Sequence, residues 1–261
     1  MSSPTASRLQ TADSVAAVEA AIRLENVSVR YRVPRERIAT FKEYAIRRLR
    51  RKIVFDEFWA LRSVSIGVRS GEVFGVIGRN GAGKSTLLKV VARVLRPTEG
   101  RVRVVGRVAP LLELGAGFDW ELTGRENVYL NGAILGFKKR DLSTRFSRII
   151  EFSGLREFAD APLRTYSSGM IARLGFAVAT DVQPDVLLVD EVLAVGDAEF
   201  HRKSTDRILG FSASGATIVL VTHDLPVARA LCQRVAWLER GQLMALGAAD
   251  EVVSVYEESS G

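Results

Sequence analysis

The sequence predicts an α/β fold wound about a phosphate-binding loop, and three observations carry that expectation. Residues 71–91 read GEVFGVIGRNGAGKSTLLKVV, an apolar strand, a glycine-rich turn and an apolar-striped helix in immediate succession. Two later apolar runs, 186–189 and 217–221, are each followed by a helical stretch, the alternation that buried strands of an α/β sheet require. Between them and the loop, residues 118–180 read as helical throughout, so a helical subdomain interrupts the sheet. A length of 261 residues with 47% apolar composition suffices for one large domain with a full core.

Taken in order, residues 1–20 are rich in Ser, Thr and Ala and read as a mobile tail, and a single domain is expected over 21–261. Ile22, Leu24, Val27, Val29 and Tyr31 give an interrupted alternation, and Trp59, Leu61, Val64, Ile66 and Val68 repeat it, so two half-buried strands precede the loop. Between these strands Ile38, Phe41, Ala45, Leu49 and Ile53 recur at spacings of three and four, which predicts an inserted amphipathic helix over 34–53. After the loop helix, 97–100 (PTEG) predicts a turn, and Val102, Val104 and Val105 lead to a short strand at 107–111. Thr123 with Glu126 is a capping-box signal, and further helices are expected near 141–153 and 168–180. From 181 to 261 the α/β core resumes: strand 186–189, a helix after Asp197, strand 217–221, a helix near 225–231, a hairpin around Glu239-Arg240-Gly241 and a last helix.

Charge narrows the function. Of a formal net charge of +7, the segment 34–53 supplies +6, from eight basic residues (Arg35, Arg37, Lys42, Arg47, Arg48, Arg50, Arg51, Lys52) against Glu36 and Glu43. A nearly neutral body with one basic segment argues for a local contact rather than a nucleic-acid binding face. The arginine-rich helix admits three readings: a solvated face, contact with a membrane surface or the pyrophosphate of a lipid-linked substrate, or nucleic acid, of which the second suits arginine best. A single cysteine, Cys232, excludes an intrachain disulfide and reads as a small buried residue in a reducing compartment. With no run of 18 apolar residues and no leader-like start, any membrane span must come from another subunit.

The loop itself fits GxxxxGK[ST]: Gly78, then Gly83-Lys84-Ser85. Glycines at 78, 81 and 83 let the backbone take positive φ and bring its N–H groups to phosphate, with Asn80, Ala82 and Thr86 completing the cradle. Lys84 reaches the β- and γ-phosphates and the Ser85 hydroxyl ligands Mg²⁺. Asp190, at the end of the strand LLVD, is the expected metal carboxylate, and the adjacent Glu191 is placed to polarise an attacking water. His223 follows a third strand and is expected at the same rim, sensing the γ-phosphate, whereas His201 lies among charged residues and reads as surface.

Tyr166-Ser167-Ser168-Gly169-Met170, followed by Arg173 and preceding the strand that carries Asp190, stand where the ABC transporter nucleotide-binding subunits carry their LSGGQ signature, and over residues 21–256 the chain resembles that family. The resemblance implies a P-loop NTPase core of the ABC ATPase type, with an antiparallel β subdomain and a helical signature subdomain. It also implies ATP and Mg²⁺ as cofactors, with a homodimer in which Ser167, Ser168 and Gly169 of one copy close over the γ-phosphate held by the other. The adenine-stacking aromatic is assigned to Tyr31 in preference to Trp59, and Glu113 is the nearest substitute for the glutamine of the family's Q-loop, where it would contact metal or water. Departures from the pattern, Tyr166 for Leu, Met170 for Gln and a D-loop reading Ala194-Val195-Gly196-Asp197, together with the inserted helix before FWALRSVS, are similar to subunits that export O-antigen, capsule or teichoic-acid chains.

The implied function is therefore an ATPase, peripheral on the cytoplasmic face of the cell membrane, that drives a polytopic permease moving a lipid-linked polysaccharide. No nucleic-acid partner is expected. No carbohydrate-binding domain is expected either, so glycan selection would fall to the permease and the inserted helix. The competing reading is a soluble ABC-type ATPase acting on nucleic acid or ribosomes; an exporter of another lipid or drug would differ only in its cargo.

Overall fold

A computed structural model describes residues 20–35, 55–112, 114–134, 137–190 and 196–260. The tail, the basic segment 36–54, Glu113 and residues 191–195, Glu191 among them, lie outside the described residues.

Two sheets share one core. In the first, β1 (Ala20–Pro34) pairs antiparallel with β2 (Phe55–Arg69) on one side and β4 (Glu99–Val104) on the other. The interrupted alternation of β1 has a backbone cause. Asn26 sits at φ +49, and the pairing register shifts between Leu24 and Val27, so the strand is bulged there and Val27 and Val29 return to the buried face. The expected turn over 97–100 lies earlier: Glu99 and Gly100 already belong to β4, and the chain turns at 92–95, directly after the loop helix. Gly100 permits this because its φ is +85 and a side chain there would run into the backbone carbonyls of Glu25 and Asn26.

The second sheet has the order β5-β6-β7-β3-β8-β9, formed by β3 (Val73–Ile77), β5 (Val108–Leu111), β6 (Val186–Asp190), β7 (Thr217–Val221), β8 (Arg234–Glu239) and β9 (Gln242–Ala248). All its pairings are parallel except the β8–β9 hairpin. The near-continuous apolar runs of β3, β6 and β7 follow from burial on both faces.

Helix α1 (Lys84–Val91) is clamped between the sheets. Its Leu87, Leu88, Val90 and Val91 pack with Ile22, Val29 and Leu61 of the small sheet and Val76, Leu188 and Val219 of the large one. At about 1.5–3 kcal/mol for each large apolar side chain removed from water, this contact is what fixes the loop in front of the helix. On the opposite face, α5 (Ala198–Ala213), α6 (Leu225–Leu231) and α7 (Ala249–Ser260) cover Leu187, Val189, Leu220 and Trp237. Asp197 and Asp224 cap α5 and α6, each accepting from a backbone N–H three residues on.

The expected helical lobe is present as α2 (Gly124–Ile134), α3 (Lys139–Ser153) and α4 (Ser168–Ala179), with a core of its own around Val128, Phe146, Ile149, Leu163 and Leu174. The capping box forms as read: Thr123 N donates to Glu126 Oε2 at 2.8 Å, and Glu126 N donates to Thr123 Oγ1 at 3.2 Å. Buried Asn127 ties the entry loop together, donating to the carbonyls of Asp119, Leu122 and Thr123 and accepting from Asp119 N. Helix α4 approaches the loop after β5 so closely that a Cβ on Gly175 would meet Gly115 N at 2.6 Å.

Candidate nucleotide site

The phosphate loop leaves the end of β3 and enters α1. Gly78, Gly81 and Gly83 all take positive φ, as expected from their spacing. Gly83 matters most for the approach of neighbouring backbone: at φ +105, its missing Cβ leaves room for Ala60 O, which would otherwise be met at 2.5 Å. The loop is buttressed by the tip of the β8–β9 hairpin, because Gly241 N donates to Ala82 O at 3.0 Å and Arg62 N donates to Gly241 O at 2.7 Å. Lys84 is buried, and its ammonium spans the loop, donating to Gly78 O at 2.7 Å and Arg79 O at 3.2 Å. An ammonium has three donors, so this geometry holds it over the concavity of the loop.

In front of the loop lies a cavity of about 830 Å³. Asn80, Gly81, Ala82, Gly83, Lys84, Ser85 and Thr86 line one wall, and Tyr31, Phe58, Trp59 and Ala60 line another. Asp190 lines it as well. This follows from topology. Strand β7 lies between β6 and β3, and Asp190 pairs in register with Val221 of β7, which pairs with Val76 of β3, so the carboxylate and the loop emerge at the same rim. Ser85 and Asp190 thus share one cavity. Among the described residues no three carboxylate, His or Cys side chains gather to cage a metal. A lone hydroxyl and carboxylate fit a cation that keeps waters and binds phosphate oxygens, the habit of Mg²⁺.

Both aromatic candidates face this cavity. Tyr31 stacks on Phe58, ring centroids 5.3 Å apart, while Arg30 lies over Trp59 at 5.2 Å. Phe58, Arg62 and Arg240 also line the cavity and went unread in the sequence. Phe58 could have been found from its place beside Trp59; Arg240 could not, because it arrives from a hairpin tip more than 150 residues further along the chain.

His223 is at the end of β7, exposed, two residues beyond the buried Val221. It reaches the expected rim but is not among the residues lining the cavity. Glu191, next to Asp190 in the chain, and Glu113 fall outside the described residues.

Ser167, Ser168 and Gly169 form a second concavity of about 520 Å³ with Arg173 and Asp197, and it shares no lining residue with the first. Ser167 is the N-cap of α4, its Oγ accepting from Met170 N at 3.2 Å, so Ser168 and Gly169 belong to the first helical turn. Their N–H groups are among those that a helix leaves without internal partners. Tyr166 explains one departure from the family's pattern. It is buried, its hydroxyl donates to Phe158 O at 2.6 Å, and desolvation raises its pKa, so the ring anchors the turn to the helical lobe. Arg173 joins three segments: it donates to Ser153 O at 2.9 Å and to Asp197 Oδ2 at 3.3 Å, and lies 5.2 Å from the Phe200 ring centroid.

Residues 61–194 match the ABC transporter family. The chain is 48% identical over 203 residues to the O-antigen export system ATP-binding protein RfbB of Klebsiella pneumoniae, covering 78% of this chain and 82% of that protein. It is 42% identical over 199 residues to the teichoic acids export ATP-binding protein TagH of Enterococcus faecalis, covering 76% of this chain and 44% of that one. Its fold is similar to that of a dimeric ATP-binding cassette in a post-hydrolysis state with ADP and phosphate, at a TM-score of 0.69 and 22% identity over 87% of this chain and 98% of the other.

Proposed function

This chain belongs to the ABC transporter family, and from that membership we propose that it is the ATP-hydrolysing subunit of an exporter that carries a lipid-linked polysaccharide of the O-antigen, capsule or teichoic-acid type across the cell membrane. The observation that carries the chemical half of this reading is the single cavity that gathers the phosphate loop, an aromatic wall and Asp190. The aromatic wall suits a base, and the loop suits the triphosphate.

In this reading the reaction is attack of water on the γ-phosphorus with departure of ADP. Lys84 and the loop amides neutralise charge on the transferring phosphoryl group, which is the main task when little covalent chemistry falls to the protein. Ser85 and Asp190 would hold Mg²⁺, whose charge offsets that of the β- and γ-phosphates. Glu191 orients or deprotonates the water, and His223 holds the γ-phosphate from the rim. Tyr31 stacks on adenine, with Trp59 as the competing choice. Glu113 is assigned the contact with metal or water at the Q-loop position.

The separate concavity of Ser167 to Gly169 supports a site built from two copies of the chain. A turn that presents helix N–H groups but lies apart from the phosphate loop can meet a γ-phosphate only from a partner subunit. Hydrolysis then resets the closed pair. An apolar cleft of about 540 Å³ supports the membrane partner: Ala109, Pro110, Leu112, Leu114 and Phe118 line it, and the exposed side chains of Val94 and Ile134 flank it. Contiguous apolar surface of this kind marks an interaction site. Among the described residues no helix is long and apolar enough to cross a membrane, and the likeness to export-system ATP-binding proteins supports a peripheral subunit on the cytoplasmic side of such a partner.

Glu191→Gln tests the reading. The variant should bind ATP, accumulate as a dimer on gel filtration, and hydrolyse ATP about 10²–10⁴-fold more slowly, the range associated with loss of a general base. Near-normal turnover would remove Glu191 from its role. Salt-sensitive nucleic-acid binding by a protein that co-purifies with no polytopic subunit would favour the soluble ATPase instead.

A further inference from the structure

At the end of α1 away from the phosphate loop, a groove of about 690 Å³ is lined by Arg23, Arg93, Arg96, Arg101 and Arg103, with Glu25 as its one carboxylate. Glu25 is already engaged, its Oε1 2.7 Å from Arg23 Nε. The groove therefore carries a net positive charge supplied by arginines alone, none of which belongs to the basic segment 34–53.

Two features make it more than a charged edge. Arg23 of β1 stands directly opposite Arg103 of β4 in the antiparallel register, an arrangement of like charges that destabilises a strand pair. Arg93 occupies the left-handed region at φ +61, where glycine or asparagine is the easier choice, and its guanidinium is held by Val104 O at 2.6 Å. Of the five, Arg101 alone faces an acid across the strands, Glu25, and that carboxylate is shared with Arg23, so the groove holds more positive charge than its own acid offsets. The same short segment connects the groove to the apolar cleft, because Lys89 and Val94 line the cleft while Val90, Arg93, Leu95 and Arg96 line the groove.

We propose that the groove formed by Arg23, Arg93, Arg96, Arg101 and Arg103 binds the phosphates of anionic phospholipid headgroups, holding the subunit flat against the membrane beside the cleft that receives its partner. This rests on the membrane-exporter reading of the site. Arginine is the side chain suited to the task, since its planar fork takes two phosphate oxygens at once and is less strongly hydrated than an ammonium.

The test is sedimentation of the full chain with vesicles of phosphatidylcholine alone or containing phosphatidylglycerol, alongside its ATPase rate. The groove variant is R96Q/R101Q/R103Q, which leaves Arg93 and its backbone contact in place. A second variant, R47Q/R48Q/R50Q/R51Q, reports on the basic segment. At about fivefold per basic side chain near an anionic surface, the groove variant should bind the anionic vesicles on the order of a hundredfold more weakly, with its ATPase rate unchanged. Vesicle binding retained by the groove variant, or equal binding to neutral vesicles, overturns the inference. A wild-type protein without ATPase activity would instead overturn the functional reading on which it rests.

Discussion

Tyr166 and Gly124 should behave as one unit, and a double-mutant cycle can measure this. The Tyr166 hydroxyl packs against the Cα of Gly124 so tightly that a Cβ there would overlap it, with the ring Cζ next at 3.2 Å and Ala159 O at 3.3 Å. Gly124→Ala should therefore force the ring aside, an overpacking that costs about 1–3 kcal/mol. Tyr166→Phe removes the hydroxyl that donates to Phe158 O. That carbonyl keeps a second donor, Ala161 N at 2.9 Å, so the loss is that of one net hydrogen bond, about 1 kcal/mol. In the double variant the overlapping atom is absent, and the remaining neighbours, at 3.2 and 3.3 Å, need yield by only a few tenths of an ångström. The two changes should then be coupled by about 1–2 kcal/mol, well outside the additivity of independent sites. Thermal unfolding reads this as a double variant no less stable than Gly124→Ala alone, on a scale of about 2–4 °C per kcal/mol for a domain of this size. Costs that add to within about 0.5 kcal/mol would refute the argument that the tyrosine in place of the family's leucine packs the signature turn onto the helical lobe.

The loop glycines should differ sharply. Gly83→Ala meets Ala60 O at 2.5 Å and should destabilise the fold, whereas Gly81→Ala, at φ +79 with no protein atom within 4 Å of the new Cβ, should cost only about 1–2 kcal/mol of backbone strain; equal destabilisation in urea denaturation would contradict this. V94E/I134E should prevent co-purification with the polytopic subunit and leave basal ATPase activity intact, and retention of the complex would move the partner elsewhere. Burial, with a smaller contribution from Glu72, pushes the Cys232 thiol up to about 12 from an ordinary value of 9.0. The unfolded thiol thus ionises first as pH rises, so stability present below pH 9 is lost toward pH 12, at about 1.4 kcal/mol per pH unit. From pH 8 to pH 10 wild type should lose about 1 kcal/mol relative to Cys232→Ala in urea denaturation, and parallel stability curves would refute this.

Local pattern alone determined much of this protein. Gly78, Gly83, Lys84 and Ser85 declare a phosphate loop because only small residues at fixed spacing let backbone N–H groups converge. The apolar runs of β3, β6 and β7 declare buried strands because a run without alternation must be covered on both faces. Thr123 and Glu126 declare a helix start because their side chains satisfy each other's backbone donors within one turn. All of these interactions close within a few residues of chain.

What the tertiary structure decided are the contacts that close over long separations. Asp190 joins the loop because β7 lies between β6 and β3, an order that no local pattern encodes. Phe58 and Arg240 enter the cavity through a strand pair and a hairpin tip, and Tyr166 acquires its purpose only where Gly124 leaves room for it. The arginines at 93, 96, 101 and 103 lie within eleven residues of chain with Glu99 as the one acid among them, but nothing local shows that they share a surface with one another and with Arg23. Antiparallel pairing of β1 with β4, and the turn after α1, bring them to one groove, because strand register rather than sequence proximity sets which side chains face each other.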